Sequence, residues 1–196
     1  MTVKLMALLE LDRCPHCGVD SPTMKLMGNY ETMSVDNLNK RAWASYSCKR
    51  CGGAVIASAP QLNWDVLEVF PAAVEVDESI PEKAKEYLTQ AINSRSAPAG
   101  AVMLTASAVD AMLKAKQYTN GSLYSRIDKA ASDHLITPSM ATWAHEIRLD
   151  ANDQRHVDEE GTLPTANDAE KAINFALALA EFLFVLPAKI QRGLQP

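Results

Sequence analysis

The sequence predicts a mainly α-helical protein: a helical bundle of about five helices, preceded by a small β-structured unit. Two observations predict this fold class. Apolar residues recur with helical periodicity from residue 81 almost to the C-terminus, and all four cysteines fall in the first 51 residues as two Cys-x-x-Cys pairs. We therefore divide the chain into a cysteine-containing unit at residues 1–58, an extended connector at 59–80 and a helical bundle domain at 81–196.

The two cysteine pairs predict a metal site. In the stretches CPHCG and CKRCGG, each pair can offer two thiolates to one ion from a tight turn, which the following glycine permits. Four thiolate ligands favour zinc in a closed, structural site, and His16 between two ligands is expected to face solvent. The alternative is two redox-active or disulfide-forming pairs. The predicted ligands are Cys14, Cys17, Cys48 and Cys51.

The segment between the cysteine pairs predicts a β-hairpin or small sheet, and so a small β zinc ribbon for the unit. Residues 30–33 and 42–46 are rich in strand formers, and VDNLN at 35–39 is typical of a turn. Basic and aromatic residues here could form a nucleic-acid patch; we favour the alternative that the aromatic side chains form the core. The residues are Arg13, Lys40, Arg41, Lys49 and Arg50, with Tyr30, Trp43 and Tyr46.

The connector and the helices follow in order along the chain. Residues 59–80 contain prolines and short apolar pieces, which are typical of an extended segment. Proline and serine start signals and apolar spacing then predict the helices. These are helices at residues 81–93 and 99–116, a third that ends near His134, a fourth that begins at Pro138, and a fifth at residues 166–192.

The fifth predicted helix is apolar on two faces. One face carries Phe175, Leu179, Phe182 and Leu186. Leu177 and Phe184 fall on the opposite face. Such a helix either lies at the centre of its bundle or buries its second face against another subunit. We favour self-association, so Leu177 and Phe184 are the predicted interface residues of a homodimer.

Composition and charge limit the function. Hydrophobic residues make up 47% of the 196, and the formal net charge is −5, which argues against a general nucleic-acid binder. The opening stretch MTVKLMALLELDRC lacks a cleavage site of small residues, and the most apolar stretch, residues 172–187, is predicted to be too short to span a bilayer. We expect a cytoplasmic protein without a membrane partner.

A polar motif lies in HEIRLDANDQRHVDEEG, residues 145–161. On a continuous helix Arg148, Asn152 and His156 would share one side. Arg can hold a phosphate, His can transfer a proton near neutral pH, and Asn can orient either group, so these three are the candidate catalytic residues for metal-independent RNA cleavage. The alternative is a helix end followed by a structured turn.

The order of features from Ile80 to Pro187 resembles domain-of-unknown-function family 4145. The resemblance is carried by SLYSRI, IRLDANDQRH and DAEKAINFALALAEFLFVLP. It implies an appendage of restriction subunits and other prokaryotic defence proteins, a HEPN-like helical fold, and often a Cys-x-x-Cys ribbon in front. Catalytic HEPN proteins carry Arg and His four to six residues apart, whereas seven residues separate Arg148 from His156.

These observations predict a zinc-binding helical interaction or assembly module, homodimeric and associated with prokaryotic or phage defence. A second copy of the chain is the favoured partner, a protein of a defence complex is a further possible partner, and RNA or DNA is possible but not favoured. The alternative function is a metal-independent HEPN-type RNA endonuclease that uses Arg148 and His156. We favour the role without catalysis because acidic residues surround the motif and would repel RNA.

Overall fold

A computed structural model describes residues 3–153 and 163–194, with only the backbone described at 148–153. The chain divides into two compact units, Met1–Val74 and Glu75–Pro196. The division lies inside the segment that the sequence predicts as a connector. Each unit has its own hydrophobic core.

The first unit is a five-stranded antiparallel sheet in which each strand pairs with the next along the chain. The central strand alternates, as expected for a half-buried strand: Ala42, Ala44 and Tyr46 are buried and the residues between them are partly exposed. The strands are β1 (Leu8–Leu9), β2 (Met24–Met33), β3 (Lys40–Cys48), β4 (Ala54–Ala59) and β5 (Glu68–Phe70).

The core of this unit is small and rich in alanine. Leu5, Leu9 and Met24 pack against the buried face of β3 and β4, which contributes mostly alanines and Tyr46. The Tyr46 hydroxyl donates a hydrogen bond to the Met6 carbonyl at 2.7 Å, so this fully buried ring keeps a polar partner. Few large side chains are therefore available to stabilise the sheet.

The predicted fold class, a mainly α helical bundle with a small ribbon, is wrong. Helices make up 44% and strands 19% of the chain, so the protein is a mixed α and β arrangement. Sequence periodicity missed the extent of the sheet for a physical reason. The sequence predicts strands at residues 30–33 and 42–46, but not the start of β2 at Met24 and not β1, β4 or β5. Strands β1 and β5 are only two and three residues long, too short for an alternation to be recognised, and β4 is buried at three consecutive positions, 57–59.

The second unit contains five helices in its described part. Their starts follow local chemistry: the Ser122 hydroxyl accepts a hydrogen bond from the backbone N–H of Ser125, and Thr165 and Asp168 form a reciprocal capping box. The helices are α1 (Glu82–Asn93), α2 (Pro98–Ala115), α3 (Leu123–Ser132), α4 (Pro138–Asp153) and α5 (Ala166–Gly193).

Helix α2 lies at the centre of the second unit and packs against α1, α4 and α5. Val102, Val109 and Leu113 of α2 are buried, and their spacing of seven and four residues places them on one face of the helix. The facing positions on α5 include Ile173 and Phe175. Helices α1 and α3 also contact α2, and residues from these three helices line a cavity.

Helix α5 changes its periodicity at a π turn, Glu181–Val185. The sequence predicts one buried face through Phe182 and Leu186, but both side chains are exposed, by 43% and 45%, and Leu183 is buried in their place. A π turn adds a residue to the turn and so rotates the following side chains by about 100°. Pro187 supplies the cause, because it has no N–H for an α-helical bond and its ring crowds the preceding turn.

The same helix is the longest apolar element that the structure describes. It has 28 residues, with an 18-residue window of mean hydropathy 1.8, which is long and apolar enough to cross a bilayer. The stretch at 172–187 that the sequence predicts to be too short is part of this longer helix. Core helices of soluble proteins meet the same two conditions, and α5 contributes buried residues such as Ile173 and Leu179 to the core.

Candidate metal centre

Two matched turns carry the cysteine pairs. In the first turn, the Gly18 N–H donates to the Cys14 carbonyl at 2.9 Å; in the second, the Gly52 N–H donates to the Cys48 carbonyl at 2.8 Å. Both glycines have positive φ, 68° and 74°, a conformation that glycine adopts without strain. The turns connect β1 to β2 and β3 to β4, and β2 pairs with β3. Antiparallel pairing therefore brings both turns to one end of the sheet.

The four predicted ligands lie together. All four Sγ atoms are within 4.8 Å of one another, and those of Cys14 and Cys51 are 3.9 Å apart. Zn–S bonds of about 2.3 Å in a tetrahedral site would place the sulfur atoms about 3.8 Å apart. Cys14 and Cys48 are buried, whereas Cys17 is half-buried and Cys51 is exposed. The cluster can therefore hold a metal ion such as zinc, as the sequence predicts.

The thiols differ in how readily they ionise. Burial raises the pKa of Cys14, and it raises the pKa of Cys51 to about 12, with hydrogen bonds to the Cys17 and Cys48 thiols acting in the same direction. Burial also opposes ionisation of Cys48, but hydrogen bonds from the backbone N–H groups of Cys51 and Arg50 lower its pKa to about 7. Cys48 is therefore the thiol best prepared to meet a cation as a thiolate.

His16 joins the two turns without being a ligand. Its side chain is exposed, but its Nε2 atom forms a hydrogen bond of 2.7 Å with the carbonyl oxygen of Ala54, which follows the second turn. The imidazole ring lies against Gly53, where a Cβ atom would be 2.5 Å from ring carbons. The prediction that His16 only faces solvent therefore missed its contact with the second turn.

The five basic residues predicted to bind nucleic acid are largely engaged with acids. Three of them form ion pairs: Arg13 with Asp20, Lys40 with Glu31, and Arg41 with Glu68. Lys49 and Arg50 lie between the ligands of the second turn, and no ion pair involves them in the described part of the chain. Residues 1–74 hold seven basic and seven acidic residues, a formal charge of zero. Nucleic-acid binding stays a prediction.

The aromatic residues of the sheet divide between core and surface. Tyr46 is fully buried, Trp43 is half-buried and Tyr30 is 52% exposed. The Trp43 Nε1 atom donates to the Thr32 hydroxyl at 2.9 Å, and its ring lies 6.5 Å from that of Phe70. The expectation that the aromatic side chains form the core therefore holds for Tyr46 but not for Tyr30.

The candidate catalytic motif falls mostly outside the described residues. Arg148 and Asn152 belong to α4, which ends at Asp153, but only their backbone is described, and His156 lies beyond. The structure therefore does not test whether Arg148, Asn152 and His156 meet.

The predicted interface residues Leu177 and Phe184 are both half-buried. They pack against the core of their own unit, and the Lys116 Nζ atom lies 4.6 Å from the centre of the Phe184 ring. The most exposed apolar side chains in and directly after α5 are elsewhere: Phe182, Leu186, Ile190 and Leu194. Whether Leu177 and Phe184 contact a partner stays a prediction.

Sequence reasoning missed two pairs of side chains that join separate helices. Asp110 of α2 forms an ion pair with Arg126 of α3, and Asp128 of α3 lies 2.9 Å from Nε2 of His145 on α4. The Nδ1 atom of His145 is buried without a hydrogen-bond partner. The centres of the His145 and Tyr124 rings are 4.6 Å apart. These partners are 16 and 17 residues apart, so no local motif indicates them.

Comparison with known proteins supports one assignment. A family profile described as domain of unknown function (DUF4145) matches residues 86–195, which is more than half of the chain and includes most of the helical unit. Comparison with curated proteins and with solved structures gives no match. The family that the motifs of the helical region predict is thus confirmed: the chain belongs to the DUF4145 family.

Proposed function

We propose that this protein is a zinc-dependent interaction module that forms a homodimer through α5 and serves in prokaryotic or phage defence. The observation that carries the proposal is an exposed row of apolar side chains along α5, the α5 apolar row. Its members are Phe182, Leu186 and Ile190 of α5 and Leu194, the residue directly after the helix, which are 43%, 45%, 53% and 80% exposed. Residues four apart share one side of a helix, and contiguous apolar surface of this kind marks interaction sites.

The charged residues beside the α5 apolar row are arranged so that a second copy of the chain can complement them. Glu181 lies at the N-terminal end of the row, and Lys189 and Arg192 lie towards its C-terminal end. When two copies pack antiparallel about a two-fold axis, the acidic end of each row meets the basic end of the other. Glu181 and Lys189 are about half exposed and pair with each other at 3.0 Å, so both are accessible for an exchange of partners.

The oligomeric state of the zinc-loaded protein tests the dimer. We expect a dimer at micromolar concentration by light scattering, because each buried Leu or Ile side chain contributes about 1.5–3 kcal/mol. Leu186→Asp combined with Ile190→Asp should give a monomer with unchanged helix content. Leu38→Asp is the matched control, since Leu38 is 80% exposed in the first unit. A monomeric wild type, or a dimer that survives the double substitution, would refute the proposal.

Zinc is the proposed metal because four cysteine thiolates are a ligand set typical of zinc. With four protein ligands a tetrahedral zinc ion has no open coordination position, so the proposed site is structural. Such a site supplies folding energy and no catalysis, and Cys14, Cys17, Cys48 and Cys51 would be its ligands. We expect one zinc per chain by mass spectrometry under non-denaturing conditions. Cys48→Ser should lose the metal, whereas the neighbouring Ser47→Ala should keep it. A wild type with substantially less than one zinc per chain contradicts the assignment.

The proposed association with defence rests on the resemblance of the helical region, and so do the proposed HEPN-like character and cytoplasmic location. The genes that flank this one provide the test. Neighbouring restriction or other defence genes in several genomes would support the proposal, and consistent placement beside unrelated metabolic genes would contradict it.

The second candidate function is the metal-independent RNA endonuclease. One observation favours it: His145, paired with Asp128, lies on α4 three residues before Arg148, so α4 carries a group that can transfer a proton near Arg148 in the sequence. Incubation of mixed RNA with the protein in EDTA tests this function. Cleavage lost in both Arg148→Ala and His156→Ala would establish the predicted motif, and loss in His145→Ala alone would assign the role to His145. No cleavage by the wild type would exclude the endonuclease.

A further inference from the structure

A cavity of about 560 Å³ opens between α1, α2 and α3 of the second unit. Its volume lies within the range of small-molecule sites, which is about 300–1,000 Å³. Lys83 and Tyr87 line it from α1, Asp110 and Lys114 from α2, and Arg126 from α3. The cavity is separate from the cysteine cluster and from the α5 apolar row, so the functions proposed above do not use it.

The lining carries an excess of positive charge. Three cations face one acid, and the acid is already paired twice: Asp110 Oδ2 lies 2.6 Å from Lys114 Nζ, and Oδ1 pairs with Arg126. Lys83 forms no ion pair within residues 3–153 and 163–194. The net charge of the charged lining is therefore +2 in the absence of a ligand.

Arg126 is fixed in place and still has an unused donor. Its Nη2 atom donates to the Gly121 carbonyl at 2.5 Å, and its side chain is only 12% exposed. Its Nε atom is buried and has no hydrogen-bond partner. Arg126 therefore contributes a positive charge held in a fixed position at the wall of the cavity.

Apart from Ser107, the rest of the lining is apolar. Ala84, Ala106 and Leu123 contribute to it together with the ring of Tyr87. An inorganic anion would leave most of this volume unfilled, whereas a ligand with an apolar or aromatic body would bury surface against these side chains. A phosphomonoester carries a charge of about −1.5 to −2 at pH 7, which matches the charge of the lining better than a single carboxylate does.

We propose that this cavity binds a small aromatic phosphomonoester. Lys83 and Lys114 hold the phosphate by charge-assisted hydrogen bonds, Arg126 adds a fixed positive charge at the wall, and the ring packs beside Tyr87. Arg126 also anchors the turn before α3, so the site is formed before the ligand arrives.

Calorimetric titration of the full-length, zinc-loaded protein with three probes tests the proposal. Phenyl phosphate should bind with one-to-one stoichiometry and about tenfold or more tighter than inorganic phosphate, because its ring is buried. Phenol, which has the ring but no charge, should not bind measurably. Absence of saturable phenyl phosphate binding up to millimolar concentration refutes the proposal, and so does equal affinity for phenyl phosphate and inorganic phosphate.

Substitutions then place the ligand. Lys83→Ala and Lys114→Ala should each weaken phenyl phosphate binding by roughly tenfold. Both side chains reach solvent, so the fold should persist, and circular dichroism checks this. Lys129→Ala is the control, because Lys129 lies on α3, is 64% exposed and does not line the cavity. Wild-type affinity in both lining variants, or an equal loss in the control, would show that the anion binds elsewhere.

Discussion

The contact between His16 and Gly53 predicts that one methyl group will weaken metal binding. In Gly53→Ala the new Cβ atom would lie 2.5 Å from two ring carbons of His16. Carbon atoms in contact are normally about 3.5–4.0 Å apart. The φ angle of Gly53 is not in the left-handed region, so alanine fits the backbone and the conflict is with the side chain alone.

The cost follows from the two ways of relieving this overlap. If His16 turns away, the 2.7 Å hydrogen bond to Ala54 is lost, at about 0.5–1.5 kcal/mol. If the two turns move apart, the four sulfur atoms separate and no longer fit one ion, and overpacking of this kind costs about 1–3 kcal/mol. We therefore expect a loss of about 1–2 kcal/mol, which raises the Kd for zinc roughly five- to thirtyfold.

Competition with a chromophoric chelator measures the zinc Kd of each variant. Gly28→Ala is the control, because the nearest atom to its Cβ would be the Ser45 Oγ at 4.0 Å. The double variant His16→Ala and Gly53→Ala should bind zinc no more weakly than His16→Ala alone, since no ring is left to collide. Additive losses, or wild-type affinity in Gly53→Ala, would show that this contact does not hold the two turns together.

Three further predictions concern stability. Asp110→Ala should lower the free energy of unfolding by about 2–3 kcal/mol, because the Arg126 side chain is only 12% exposed and loses its acidic partner. Lys114→Ala removes an exposed member of the same network and should lower it by less than about 1 kcal/mol. Urea unfolding measures both values. Hydrogen bonds from the Thr165 backbone and hydroxyl lower the pKa of Asp168. The ionised carboxylate therefore stabilises the fold above the unfolded pKa of about 3.9, and this stabilisation is lost as pH falls through the folded pKa. Asp168→Asn should make the free energy of unfolding fall less steeply at acid pH, and an unchanged pH dependence would contradict this. A strong chelator should abolish β-sheet circular dichroism and leave most of the helical signal, whereas an unchanged spectrum would show that the sheet folds without metal.

What the sequence predicts well is local chemistry. Each cysteine pair with its glycine specifies a turn within a few residues, and antiparallel pairing of the intervening strands brings the two turns together. The helix starts are equally local: the hydroxyl of Ser122 and the side chains of Thr165 and Asp168 form caps with neighbouring residues. These features need no knowledge of distant contacts, which explains why the cysteine cluster and the helices follow the predicted pattern.

What the sequence does not predict depends on contacts between distant residues or on a change of helical period. Strands β1 and β5 are only two and three residues long, so only their pairing with β2 and β4 shows that they are strands. The π turn of α5 exchanges Phe182 for Leu183 in the core, and a count at the α-helical period cannot register that exchange. The pair of Asp110 with Arg126 requires α2 and α3 to be packed before it is visible.

The small core of the first unit explains why a metal would matter to it. A unit of this size buries a limited share of its surface, and alanines such as Ala42, Ala44 and Ala57 occupy much of the buried face of the sheet. A bound metal would join the turn before β2 to the turn after β3, which closes a long loop in the folded chain and limits the freedom of the unfolded one. The second unit buries more large side chains, among them Leu88, Phe175 and Leu179, and contains none of the four cysteines. Metal removal should therefore act on the sheet first, because the helical unit obtains its stability from apolar packing that no chelator can remove.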